Sequence, residues 1–291
     1  MAVRAVVTGS VLVPHVLDLG SRRFWRVVGR TIDLDGPDWW LDAPVSGSAR
    51  VSEEWLRAEA ARHGGAVRPD DPDAGLLPSM EVLDGPGFAA GDLRPEIRAF
   101  YEHTAQWQME VWTGWSPVFW PGGELVARLW GRRVEQLALP MRPLDVARGM
   151  DSRITPLHDR DGAQLAAAWT RTLRGSGRAV FSGAYSSRTL PGSDRPCVHV
   201  AFPLESGNVQ VFLRPQVVGD GELLLESTAG GFGDPGAYVV VRHRRDHAAR
   251  VPLHETFHVH VDRRGVLRTD HELRLWQAPV VRLHYKLEPV R

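Results

Sequence analysis

From about Met150 onward the chain alternates, apolar and polar side chains changing places residue by residue, with turn signals at short spacing. A segment of that period cannot bury its apolar side chains as a helix. It must build an antiparallel sheet, with successive side chains on opposite faces. About ten strands are predicted, near residues 150–157, 164–173, 178–189, 196–204, 207–217, 221–228, 237–244, 253–262, 266–276 and 279–288. The connections "GDG" (Gly219 to Gly221) and "DRRG" (Asp262 to Gly265) are of hairpin length. So many strands in succession imply a large antiparallel β-sheet that is strongly curved or closed into a calycin-like barrel.

Before about residue 145 the pattern is helical segments separated by Gly/Pro/Asp loops. "SEEWLRAEAARHGG" has Ser52 as its N-cap and Gly64-Gly65 as its stop. "RPEIRAFYEHTAQWQMEVW" places Pro95 early in a predicted helix, with Ile97, Phe100, Tyr101, Thr104, Trp107 and Val111 along one side. Between these lies Val67 to Asp92, too long for an ordinary connector, which reads as either a lid or a partly mobile flap. The expected fold is therefore α+β. An irregular helical N-terminal region with a long flap (residues 1–145) packs on an antiparallel β region (146–291), the two forming one cooperative unit. With 43% hydrophobic residues in 291, the chain has enough apolar side chains for a proper core.

Lys+Arg and Asp+Glu both total 35, so no net field favours nucleic acid or an anionic membrane as partner. Lys286 is the only lysine, and so strong a bias toward arginine follows more simply from GC-rich coding than from phosphate recognition. A single cysteine, Cys197, excludes a disulfide within the chain and suits a reducing compartment, and its strand-like context "CVHVAF" marks a packed thiol. In "MAVRAVVTGSVLVPHVLDLG" the apolar run is broken by Pro14, His15 and Asp18 before any cleavage site. No run reaches the roughly 20 apolar residues of a membrane span. The expectation is a soluble cytoplasmic protein without cofactor.

"PLHETFHVHVD", Pro252 to Asp262, contains His254-Glu255-Thr256-Phe257-His258, which has the letters of the H-E-x-x-H of zinc peptidases. That motif works only on a helix, where residues i and i+4 lie one turn apart. Here Leu253, Glu255, Phe257, Val259 and Val261 alternate with His254, Thr256, His258, His260 and Asp262, as a strand does. In a strand, i and i+4 are about 13 Å apart, and no single zinc ion bridges that gap.

If Asp262 to Gly265 forms a type I turn with Gly265 as the left-handed bulge residue, Val261 faces Leu267 and the register is fixed. His258 then opposes Asp270, Phe257 opposes His271, and Glu255 lies diagonal to His271 on the apolar face. Glu255 and His271 are two ionisable groups on an oily surface: either a hydrogen-bonded pair of the core or a catalytic acid/base pair in a cavity. On the polar face His258, His260 and Asp270 form a weak alternative metal site, since alternate strand residues share a face at about 6.6 Å. Solvated polar histidines explain the same letters.

"GFGDPG", Gly231 to Gly236, satisfies G-x-G-x-x-G but leads into the strand-like "AYVVV", so it reads as a hairpin loop and not a dinucleotide site. Residues 112–133 combine Trp112, Trp115, Trp120 and Trp130 with Arg128, Arg132 and Arg133, which suits either core packing or an interaction surface.

In order and spacing, "RPEIRAFYEHT", "RRVEQLALP", "YSSRTLP", "PLHETFHV", "TDHELRLW" and "RLHYKLE" resemble the soluble C-terminal portion of YndJ-type bacterial proteins. The resemblance covers roughly residues 94–288. It implies no reaction and carries over no site residue, and the membrane-spanning part of those proteins has no counterpart in this sequence.

A curved sheet with an apolar inner face commonly encloses a small ligand. Binding of a small apolar molecule, lipid-like or aromatic, is the first functional expectation, with Tyr185, Phe257 and Trp120 as ligand-binding residues. An enzyme using Glu255 and His271 is the alternative, and an interaction protein presenting residues 112–133 is the third.

Overall fold

The computed structural model describes residues 20, 22–47, 53–116, 150–174 and 179–290. All ten predicted strands form. The hydrogen-bonded path begins at β2 (Ala66–Val67) and runs through β4 (Met150–His158), β5 (Gln164–Leu173), β6 (Ala179–Thr189), β7 (Pro196–Leu204) and β8 (Gly207–Val218). It continues through β9 (Glu222–Glu226), β12 (Leu253–Val261), β13 (Leu267–Leu275) and β14 (Ala278–Pro289) to β3 (Trp107–Trp115). Off this path, β10 (Ala237–Val241) pairs with β8 and β11 (Asp246–Val251), and β11 pairs with β1 (Arg30–Ile32). Every pairing of named strands is antiparallel.

The calycin-like barrel is not formed: the path ends at β2 and β3, which are not paired with each other. Closure needs every strand to keep its neighbours along a fixed stagger. Strand β8 breaks that rule. Its first half, Gly207 to Val211, pairs with β10, whereas Arg214 to Val218 pairs with β9. Exchange of partners along one strand is how sheets turn corners. Pro252, which lacks an N–H, separates β11 from β12 in the same way.

β7 is buried on both faces, which explains its nearly unbroken apolar run. Val198, Val200 and Phe202 face the main core. Cys197 and Ala201 face the N-terminal chain on the other side. There the register places Ala168, Ala184 and Ala201 side by side on β5, β6 and β7. This row of small side chains seats Trp55 and Leu56 of helix α1 (Glu54–Arg62), and the Trp55 indole donates to Ser182 Oγ at 3.1 Å. Ser52, the expected N-cap, lies outside the described residues.

Beside that row, a buried polar chain ties the N-terminal segment to the sheet. Gln210 Nε2 donates to the Leu41 carbonyl (2.7 Å) and to Asn208 Oδ1 (2.8 Å), which leaves its oxygen to accept from His199 Nε2 (2.8 Å). His199 Nδ1 then accepts from Ser186 Oγ (3.0 Å). The ring is neutral in this arrangement and stacks on Phe212 at 4.5 Å.

The other surprise lies between residues 67 and 116. The helix expected to run through Val111 stops as α2 (Pro95–Glu102), and after one 3-10 turn the chain becomes β3, paired with β14. Trp107 and Val111 are four apart, which puts them on one face of a strand as well as of a helix, so the apolar positions fit both periods. From Ala74 onward much of Val67 to Asp92 packs against the sheet and does not project as a lid or flap. Leu76, Leu77, Met80, Leu83, Phe88 and Ala90 are buried in the main core. Side chains replace the missing backbone ladder: Glu102 accepts from Met80 N (2.7 Å), Thr104 from Leu76 N (3.3 Å) and Asp84 from Ala90 N (2.6 Å). Gly75 is pressed so closely that an added Cβ would lie 2.2 Å from the Glu102 carbonyl oxygen.

Two outcomes follow. Limited thermolysin digestion should leave residues 76–90 uncut while the fold persists, and Gly75→Ala should open the segment to cleavage. Burial lowers the His199 pKa to about 3, with Arg188 adding to the effect. An unfolded imidazole protonates near pH 6.5, so the unfolded state binds the extra proton first. The contribution of neutral His199 is complete above about pH 6.5 and is lost on acidification toward about pH 3, at up to about 1.4 kcal/mol per pH unit. Urea unfolding of the parent and of His199→Gln across this range should show a shallower acid slope in the variant.

Candidate functional site

The inward-facing residues of the strands do not meet. They line a partly open cavity of about 210 Å³, with side chains such as Trp169, Tyr185, Val200, Leu225, Phe257 and Leu283. The sheet curls until Met150 on β4 and Val111 on β3 line the same space, although these strands are not paired. One side is closed by Leu76, Phe100 and Tyr101 from the packed segment and α2.

The β12–β13 hairpin has the predicted register: Val261 pairs with Leu267, His258 with Asp270 and Phe257 with His271. Its turn is built as the letters require. Gly265 has φ 75°, and Asp262 Oδ1 accepts from the backbone N–H of Arg264 and Val266. These bonds, the one from Val266 foremost, hold the Asp262 carboxyl at about 2, below its ordinary range. The register delivers Glu255 and His271 into the cavity wall, where His271 Nε2 donates to Glu255 Oε2 at 3.1 Å. The His271 ring stacks on Phe257 at 3.8 Å, and its buried Nδ1 has no hydrogen-bond partner among the described residues. Tyr185 and Phe257 also line the cavity. Trp120 lies outside the described residues, as does the rest of the Trp/Arg segment beyond residue 116; Trp112 is exposed on β3.

The sequence reading missed four polar residues among the described wall: Tyr101, Arg171, Thr269 and Tyr285. The signal was present for two of them, because Arg171 is in phase with Trp169 and Leu173, and Tyr285 with Leu283 and Leu287. Burial raises the pKa of all three cavity tyrosines, Tyr101, Tyr185 and Tyr285. Tyr185 and Tyr285 also feel the opposed charges of Arg171 and Glu255. Among the described residues the wall is thus mostly apolar side chains but carries one guanidinium and one carboxylate–imidazole pair.

His254 to His258 is extended within β12, so the peptidase letters lack the helix they need. On the outer face, ligand atoms of His258, His260 and Asp270 lie within 4.8 Å of one another. In this arrangement His258 Nε2 donates to Glu222 (2.7 Å) and Asp270 accepts from His284 Nδ1 (2.6 Å), side-chain hydrogen bonds that link four strands. "GFGDPG" is not a hairpin loop. It joins β9 to β10, which pair with β8 and not with each other, and Phe232 packs on Trp40 and Tyr238.

The chain is similar to YndJ of Bacillus subtilis (strain 168). Identity to that relative, named "Uncharacterized membrane protein YndJ", is 26% over 267 residues. The match takes in 90% of this chain, more than the 94–288 stretch of quoted segments, and 46% of YndJ, so the chain spans about half the length of the relative. No protein-family model and no solved structure matches the chain. Among the described residues no helix is long and apolar enough to cross a membrane.

The Glu255–His271 bond has a direct thermodynamic test. Glu255→Leu leaves both ring nitrogens of His271 without partners and should cost about 1–3 kcal/mol in urea unfolding. Glu255→Gln can still accept the bond and should cost clearly less.

Proposed function

We propose that this protein binds a small apolar molecule, lipid-like or aromatic, in the cavity of its curled sheet. The observation that carries the reading is the cavity itself. Well-packed cores leave few voids larger than a water molecule, whereas this one holds about 210 Å³ walled by aliphatic and aromatic side chains. Ligand sites combine such walls with a few convergent polar groups, here Arg171, Tyr185, Glu255 and His271. The cytoplasmic location suggested by the lone, buried Cys197 belongs to the same proposal.

The Glu255–His271 pair supports a second reading, an enzyme that moves a proton on the bound molecule. The two readings differ in what Glu255→Gln does. In a binding protein ligand affinity changes modestly and no product forms with either version. In an enzyme the parent converts its ligand and the variant accumulates it unchanged.

Native mass spectrometry of protein purified from its own host provides the test. A retained organic molecule of small mass is expected, released on denaturation. Leu253→Trp, which fills the cavity, should lose it while still folding. Parent protein carrying nothing, and taking up no apolar probe, would refute the proposal.

A further inference from the structure

Half-buried Arg171 stands out among the polar wall residues because its charge has no counter-ion among the described residues. Its guanidinium carbon lies 4.1 Å from the Trp169 ring centroid, 4.7 Å from that of Phe181 and 5.9 Å from that of Tyr285. Its Nε is buried without a hydrogen-bond partner, and among the described residues no carboxylate pairs with it. Glu255, the one carboxylate among the described wall residues, is bonded to His271 instead. Arginine on an apolar face is ordinarily paired, because an isolated charge there pays for its lost hydration. Aromatic faces return only part of that loss.

We infer that the ligand is amphipathic and anionic: a monocarboxylate whose head group pairs with Arg171 while its hydrocarbon body fills the cavity. The inference rests on the reading of the cavity as a ligand site and adds the chemical class of the ligand. A planar carboxylate matches the fork of a guanidinium and can accept two parallel N–H bonds. The Tyr285 hydroxyl beside Arg171 supplies a further polar contact. Size follows from volume. An apolar cavity of about 150 Å³ takes a benzene. On that scale the roughly 210 Å³ here suits a body of roughly eight carbon atoms.

Octanoate and octan-1-ol, compared by calorimetry at neutral pH, separate the two levels of the argument. The parent should bind both, octanoate about tenfold or more tightly, as a charge-assisted bond of 1.5–3 kcal/mol implies. Arg171→Met should bring octanoate down to the affinity of octan-1-ol and leave the alcohol unchanged. Arg171→Lys keeps the charge without the fork, and decides the matter if the methionine variant does not fold: it should weaken octanoate and spare the alcohol. Equal affinity of the two probes for the parent would overturn the carboxylate inference and leave the cavity reading standing. So would an octanoate preference that survives in Arg171→Met, or an unchanged octanoate affinity in Arg171→Lys. Failure of both probes to bind the parent would remove the cavity reading and, with it, this inference.

Discussion

Between Val211 and Arg214 strand β8 exchanges β10 for β9 as its partner, and the shape of the molecule depends on that exchange. A strand that kept one set of neighbours would extend a single twisted sheet. By changing partners β8 joins two sections at an angle, β4 to β7 with β10 and β11 on one side, β9 and β12 to β14 with β3 on the other. Their inner faces confront each other without the closure of a barrel, and the space between them is what the 74–105 segment and the cavity share. The outer face near β7 must then be covered too, which is the task of Trp40, Leu41 and Ala43 and of Trp55, Leu56 and Ala60 on α1.

What the sequence revealed follows from how local each determinant is. The strands after Met150 were legible because alternation is written in neighbouring residues. The β12–β13 register was legible because Asp262 and Gly265 specify one turn, and a turn sets the pairing of every residue behind it. β3 was misread because Trp107 and Val111 satisfy two periods, and only pairing with β14 decides between them. β11 escaped notice because "DHAARV" has no oily alternation; it is held by β10 and β1. The 67–92 segment looks like a loop by composition, yet Glu102, Thr104 and Asp84 supply the hydrogen bonds that allow an irregular backbone to be buried. Such bonds between distant residues leave no local mark.

The site shows the same division. Glu255 and His271 were found by face and register, and His254-Glu255-Thr256-Phe257-His258 was recognised as a strand despite its letters. Arg171 was equally in phase with Trp169 but carried no motif, and its meaning depends on the lack of a carboxylate partner among the described residues, which no sequence pattern displays. A cavity is likewise a property of the whole assembly. It arises where the inner faces of the two sections are held apart, and the side chains lining it are ordinary core residues by type.

The central claim is that the space between the two sections is a built ligand site and not a packing defect. A high-resolution crystal structure of the protein purified from its own host tests it most directly. The account predicts an open cavity holding continuous electron density for an elongated molecule, with its polar end at Arg171 and its body against Phe257 and Leu283. A collapsed core, with the side chains of β7, β12 and β14 in mutual contact and Arg171 turned out to solvent, would contradict it.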